Sequence, residues 1–203
     1  MRAEQLTAVE VRVLGCLLEK QRTTPEQYPL SLNALRLACN QSTARDPVVS
    51  YDDDAVRAAV QRLERKGYAR LASGPGSRAA KYRQLFDEVL GLDPAETAIL
   101  ALLFLRGPQT VAELKTRSER LHAFASVPEV TAVLARLDER ELARLLPRRP
   151  GQREERWTHL IGEGAADEEA AEGEPPSLER RVARVEEQLQ ELERLLAERG
   201  LLD

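Results

Sequence analysis

Val60-Gln61-Arg62-Leu63-Glu64, followed by Ala69-Arg70-Leu71, returns later in the chain as Leu134-Ala135-Arg136-Leu137-Asp138 followed by Ala143-Arg144-Leu145. Upstream of each copy a second pair matches. Thr7-Ala8-Val9-Glu10 and Val13-Leu14-Gly15-Cys16-Leu17 are restated as Asp93-Pro94-Ala95-Glu96 and Ile99-Leu100-Ala101-Leu102-Leu103. The upstream pair lies 86 residues apart (Thr7 to Asp93) and the downstream pair 74 (Val60 to Leu134), so the second copy is 12 residues shorter between these helices. Segments that recur in one order are one supersecondary unit written twice.

Within the first copy, Thr7-x-x-Glu10 is a capping box that opens a helix, and Thr23-Thr24-Pro25 closes it, because proline disfavours helix in the residue before it. Ser31 caps a second helix that ends at Cys39, and Leu32, Leu35 and Cys39 form its inner face. Turn residues Asn40, Ser42, Asp46 and Pro47 mark residues 40–49 as a loop. A third helix begins at Asp52, Asp53 or Asp54, buries Val56, Ala59, Val60 and Leu63, and stops at Gly67. Tyr68-Ala69-Arg70-Leu71 and Ala80-Lys81-Tyr82-Arg83 flank Ser73-Gly74-Pro75-Gly76-Ser77 as a hairpin. In the second copy the returning strand holds Arg156-Trp157, and residues 148–153 form the turn.

Three helices and a hairpin are the winged-helix plan, a helix-turn-helix variant. The expected fold is therefore mainly α with small β-hairpin wings, as tandem winged-helix domains at 1–86 and 93–161 joined by a linker at 87–92. Residues 162–176 are Gly, Ala, Glu, Asp and Pro without apolar periodicity, an acidic flexible linker. Order resumes at residues 177–203. Leu178, Val182, Val185, Leu189, Leu192 and Leu196 alternate spacings of four and three, the seam of a coiled coil. A helix this short needs a partner. It either pairs with its counterpart in a homodimer or packs back on its own chain.

Aromatic residues make up only 4% of the 203, so the cores are built from Leu, Val, Ala and Ile. No stretch reaches the roughly 18 uncharged apolar residues of a membrane span, and the amino-terminal residues lead into an amphipathic helix rather than a signal segment. A cytoplasmic, membrane-free protein is expected. Cys16 and Cys39 fall in apolar helical patterns without Cys-x-x-Cys or a nearby histidine, and read as buried thiols. His122 and His159 have no neighbouring acid or nucleophile, and no phosphate-cradling loop or metal cluster appears. The expectation is a binding protein with no cofactor, not an enzyme.

The formal net charge of −4 conceals a basic head. Residues 1–86 carry 14 Lys and Arg against 9 Asp and Glu, a net of +5, and residues 162–203 carry 5 against 13, a net of −8. A basic head keeps nucleic acid open as a partner. On the third helix the inner face turns Ala58, Gln61 and Arg65 outward with Arg57 and Arg62 flanking, and arginine and glutamine suit base edges in the major groove. The wings add Arg78, Lys81 and Arg83, then Arg148, Arg149, Arg153 and Arg156, as phosphate contacts. The corresponding helix of the second copy exposes Ala132, Ala135, Arg136 and Glu139, a bland surface better suited to a protein.

Two functions stay open. One is a DNA-binding, transcription-regulator-like protein. The other is an interaction adaptor, favoured by Asp52-Asp53-Asp54 at the helix end that approaches phosphates. The run from Leu6 to Lys20, with Thr23-Thr24-Pro25-Glu26-Gln27-Tyr28-Pro29-Leu30-Ser31 and Ala38-Cys39-Asn40-Gln41 after it, closely resembles the YceH-like family of uncharacterised bacterial proteins. The resemblance extends through Lys81-Tyr82 and Leu105-Arg106-Gly107-Pro108-Gln109-Thr110 to the terminal helix. It implies a tandem winged-helix fold and a bacterial source, and no catalytic residue or ligand.

Overall fold

A computed structural model of the chain describes residues 5–72, 80–148 and 152–162. The expected coiled coil lies outside these described residues. Within them the order of helix, helix, helix and hairpin occurs twice, as the repeat requires. In the first copy α1 spans Ala8–Thr23, α2 Leu32–Cys39 and α3 Asp53–Arg65, and strands β2 (Ala69–Leu71) and β3 (Lys81–Gln84) follow. A short strand, β1 (Leu30–Ser31), precedes α2 and joins the hairpin in the order β1-β3-β2. After α4 (Phe86–Leu90), the second copy comprises α5 (Pro94–Arg106), α6 (Val111–Arg117), α7 (Val127–Glu139), β4 (Ala143–Leu146) and β5 (Arg156–His159).

The sheets repeat in detail. Leu30 pairs with Tyr82 in the first copy, and an isolated antiparallel bridge from Gln109 to Trp157 takes the same place in the second. Leu71 faces Tyr82 as Leu145 faces Trp157. Each third helix is 13 residues long, so positions on α3 and α7 correspond one to one. Gly67 adopts the left-handed conformation (φ 76°) that releases the chain from α3 into β2, and Glu141 does the same after α7 (φ 54°). Glycine tolerates that conformation freely, whereas a side chain there costs about 1 kcal/mol or more.

Caps explain where the first helices begin. Thr7 and Glu10 form a reciprocal capping box on α1, Asp93 and Glu96 form one on α5, and Thr110 and Glu113 form one on α6. Ser31 and Asp52 cap α2 and α3 through single side-chain bonds.

What joins the copies was not visible as a pattern. Both first helices are buried around their circumference: consecutive residues from Glu10 to Leu18 on α1, and from Glu96 to Leu105 on α5. A helix buried on all sides has no solvent stripe, and here the second side is supplied by the other copy. The two helices pack on each other, and their side chains belong to one continuous core. At the crossing, a Cβ added to Gly15 would lie 2.9 Å from Phe104 Cβ and 3.0 Å from Leu105 Cδ2. Glycine fits here without displacing a neighbour, and any side chain forces one to shift. A ladder of rings runs through the same region, Tyr68 to Phe86 at 5.1 Å, Phe86 to Phe104 at 5.9 Å and Phe104 to His159 at 4.9 Å, all edge to face.

Two further ties cross between the copies. The amide of Leu6 donates to the Ile161 carbonyl at 2.9 Å, and the amide of Asp46 donates to the Leu105 carbonyl at the same distance. Residues 87–92, expected as a linker, instead contain most of α4. Phe86 is fully buried and Leu90 and Leu92 pack on the core, so the apolar positions hold a helical turn that Asp87, Glu88 and Gly91 disguise.

Replacing Gly15 tests the crossing. Alanine gains about 1 kcal/mol of helix propensity and loses it again to the overlap, whereas valine adds two more methyl groups and costs about 1–3 kcal/mol net. Urea denaturation should therefore leave Gly15→Ala near the parent and lower the midpoint of Gly15→Val. An unchanged midpoint in Gly15→Val would mean the helices are not held at this distance.

Candidate nucleic-acid interface

On α3, Arg57, Gln61 and Arg65 are exposed along one face, as the spacing of the buried residues requires. Arg57 and Gln61 line a groove of about 500 Å³ with Ser31, Leu32 and Asn33 from the start of α2, and Ala80 and Tyr82 from the hairpin. Among the described residues no acidic side chain lines it. Asn33, the second residue of α2, is brought here because Ser31 caps α2 and places its first turn beside α3.

Arg62 departs from its expected place. It turns back under the helix and pairs with Glu10, Nε to Oε1 at 2.5 Å, and Lys66 Nζ reaches Glu10 Oε2 at 3.5 Å. The same Glu10 carboxylate accepts from the Thr7 amide at 3.0 Å. Glu10 is 1% exposed, so Arg62 neutralises a buried acid. It is not a free flanking cation. The second copy reproduces the arrangement: Glu96, 4% exposed, accepts from the Asp93 amide and pairs with Arg136 and Arg140. Arg136 is therefore also committed. Within each copy one carboxylate both caps the first helix and pins the third.

The hairpin residues divide. Lys81 is exposed, and Arg83 pairs with Glu88. Arg148 is exposed and donates to the Gln152 carbonyl at 3.1 Å, and Arg153 is exposed. Arg156 is held by Glu113 and the Pro108 carbonyl, each at 2.9 Å. Arg78, Arg149 and the six seam residues Leu178, Val182, Val185, Leu189, Leu192 and Leu196 lie outside the described residues.

The acidic start of α3 is largely accounted for. Asp52 caps the helix through the Ala55 amide at 2.8 Å, and Asp53 forms an ion pair with Arg36 at 2.7 Å. The loop before it is pinned: Asn40 exchanges two hydrogen bonds with the Tyr51 backbone, and buried Arg45 grips Glu19 at 3.0 and 2.6 Å. Arg12, also buried, donates to the Cys39 and Pro47 carbonyls. The pinning by Arg45 follows from the polar make-up of this loop, whereas the burial of Arg12 was not legible in advance, since an arginine inside an apolar helix looks like any surface cation. Cys16 and Cys39 are both fully buried, as expected. No helix among the described residues is long and apolar enough to cross a membrane.

A family model described as "Protein of unknown function, DUF480" matches residues 6–152. The chain belongs to this family. It is 46% identical over 207 residues to a UPF0502 protein of Pseudomonas fluorescens strain SBW25, covering 94% of each chain. It is 49% identical over 205 residues to one from Shewanella sp. strain ANA-3, covering 93% of this chain and 94% of the relative. A relative in Pelobacter propionicus is 49% identical over 197 residues, covering 92% and 90%. The family, one of uncharacterised bacterial proteins, is thus shown over most of the chain.

The Glu10 clamp has a pH signature. Burial alone would raise its carboxyl pKa, but the Arg62 hydrogen bond, the Thr7 amide and the charge of Lys66 outweigh burial and hold it below the ordinary value. A depressed carboxylate contributes stability that is fully present above the unfolded pKa of about 4.3 and is lost as pH falls through the lower folded value. Glu10→Gln should therefore be less stable than the parent near neutrality in urea titrations, with the gap narrowing below about pH 4. A gap of constant size across that range would show that the charge of Glu10 contributes nothing.

Proposed function

We propose that this chain is a tandem winged-helix protein that binds duplex DNA through the first copy, in the manner of a transcription regulator and without catalysing a reaction. The observation that carries the reading is the groove in which Arg57 and Gln61 of α3 stand beside Asn33 and Tyr82, with no acidic side chain among its described lining. Arginine presents two donors to guanine, and glutamine or asparagine matches the donor and acceptor of adenine. The net charge of +5 on residues 1–86 adds a sequence-independent attraction to phosphates. The pairing of Asp53 with Arg36 and the capping bond of Asp52 weaken the objection from the acidic helix start.

In this reading Arg57, Gln61 and Arg65 face bases, and Lys81 of the first hairpin faces the backbone. Arg62 contributes by holding α3 on α1. Dimerisation through the terminal helix would link two heads and raise affinity through effective concentration.

Fluorescence anisotropy with mixed-sequence duplex DNA tests it, using the full chain and a chain ending at Gly162, at low and moderate salt. Affinity should fall steeply with salt and be greater without the acidic tail. Arg57→Ala and Gln61→Ala should each cost about 1–3 kcal/mol on a selected sequence and relax preference at one position. Lys81→Ala should weaken all sequences alike. Absence of binding by the tailless chain at low salt would end the proposal.

A further inference from the structure

The second copy holds a groove in the same place as the Arg57 groove, and its chemistry is the opposite. Thr110 caps α6 as Ser31 caps α2, and the next two residues are Val111 and Ala112 in place of Leu32 and Asn33. The fifth residue of α7 is Thr131 where α3 has Arg57, and the ninth is Ala135 where α3 has Gln61. Trp157 occupies the strand position of Tyr82, opposite a leucine in both hairpins. The guanidinium and both amides that would address bases are gone, and a larger aromatic surface stands in the wall.

The resulting groove has a volume of about 570 Å³. Val127 and Leu145 line it while remaining 46% and 38% exposed, two of the six large apolar side chains left in solvent among the described residues. Leaving such surface wet is unfavourable unless something covers it. Among the described residues its rim carries Arg148 and Arg153 together with Glu154 and Glu155, two of each sign. Here the two glutamates oppose a polyanion that the two arginines would draw. The complement of an apolar floor inside a balanced rim is a segment with a large apolar side chain and no net charge.

We propose that this groove is a docking site for a partner protein, which inserts an aliphatic or aromatic anchor against Trp157, Val127 and Leu145 from a segment of balanced charge. The two copies have thus diverged on one scaffold, the first groove keeping arginine and amide side chains and the second an apolar wall. The inference does not depend on the first groove binding DNA.

Trp157 is the only tryptophan of the chain, so the groove reports on itself. The probe is a randomised peptide library displayed on phage, selected on the immobilised full chain, with selected peptides then synthesised and titrated while Trp157 emission is followed. Enriched peptides should share one large apolar residue without a run of like charges, and should shift the emission to shorter wavelength. Thr131→Arg should weaken them roughly tenfold or more, since it places a guanidinium on the groove wall. Arginine at this position is compatible with the fold, because α3 carries one there and Thr131 is exposed. Val127→Asp, at a second exposed position, should act in the same direction, and a thermal midpoint equal to the parent's identifies a folded variant. The proposal is overturned if no sequence is enriched, if enriched sequences are runs of one charge, or if they bind Thr131→Arg and Val127→Asp undiminished. It is also overturned if Trp157 emission shifts with protein concentration alone, which would make a second copy the occupant.

Discussion

The approach of α1 to α5 at Gly15 is the contact on which the rest of this structure depends. Neither helix has a solvent face, so neither copy can cover its own first helix. Burial of consecutive apolar residues on both helices supplies the driving force, and the missing side chain at Gly15 supplies the clearance. Once the helices are seated, the Leu6 to Ile161 and Asp46 to Leu105 hydrogen bonds close around them. The two copies then act as one body, and the two grooves are presented at a fixed spacing.

A second device sets how each third helix is presented. The carboxylate of Glu10, and of Glu96 in the second copy, satisfies a backbone amide at a helix start and pairs with cations from the third helix. A buried carboxylate without partners would be costly, so the cations are required rather than optional. Arginines on α3 accordingly serve two purposes. Arg62 orients the helix from within, and Arg57 and Arg65 are left to address whatever approaches from outside. Charge counts alone treat them as equivalent.

The elements of the fold were largely legible, because caps, turns and periodicity act over a few residues. Thr7-x-x-Glu10, Ser31, Asp52 and Gly67 mark boundaries the structure reproduces. The outward set Arg57, Gln61 and Arg65 followed from the same periodicity. What the sequence hid was long-range. The shared core, the helix at 86–90 and the turn of Arg62 towards Glu10 depend on residues far apart in the chain. Gly15 gave a signal that was passed over: a glycine inside a strongly apolar helix marks a close approach. The grooves were also recoverable, since aligning the copies places Arg57 on Thr131 and Tyr82 on Trp157.

If one body is the right description, the copies must open together. Native-state hydrogen exchange on the full chain, followed amide by amide in increasing denaturant, measures this directly. The account predicts that the slowest amides of α1 and of α5 share one opening free energy and converge on the value for global unfolding. Amides of α5 that stay protected after those of α1 have exchanged would contradict it, and would mean the two copies are separately stable.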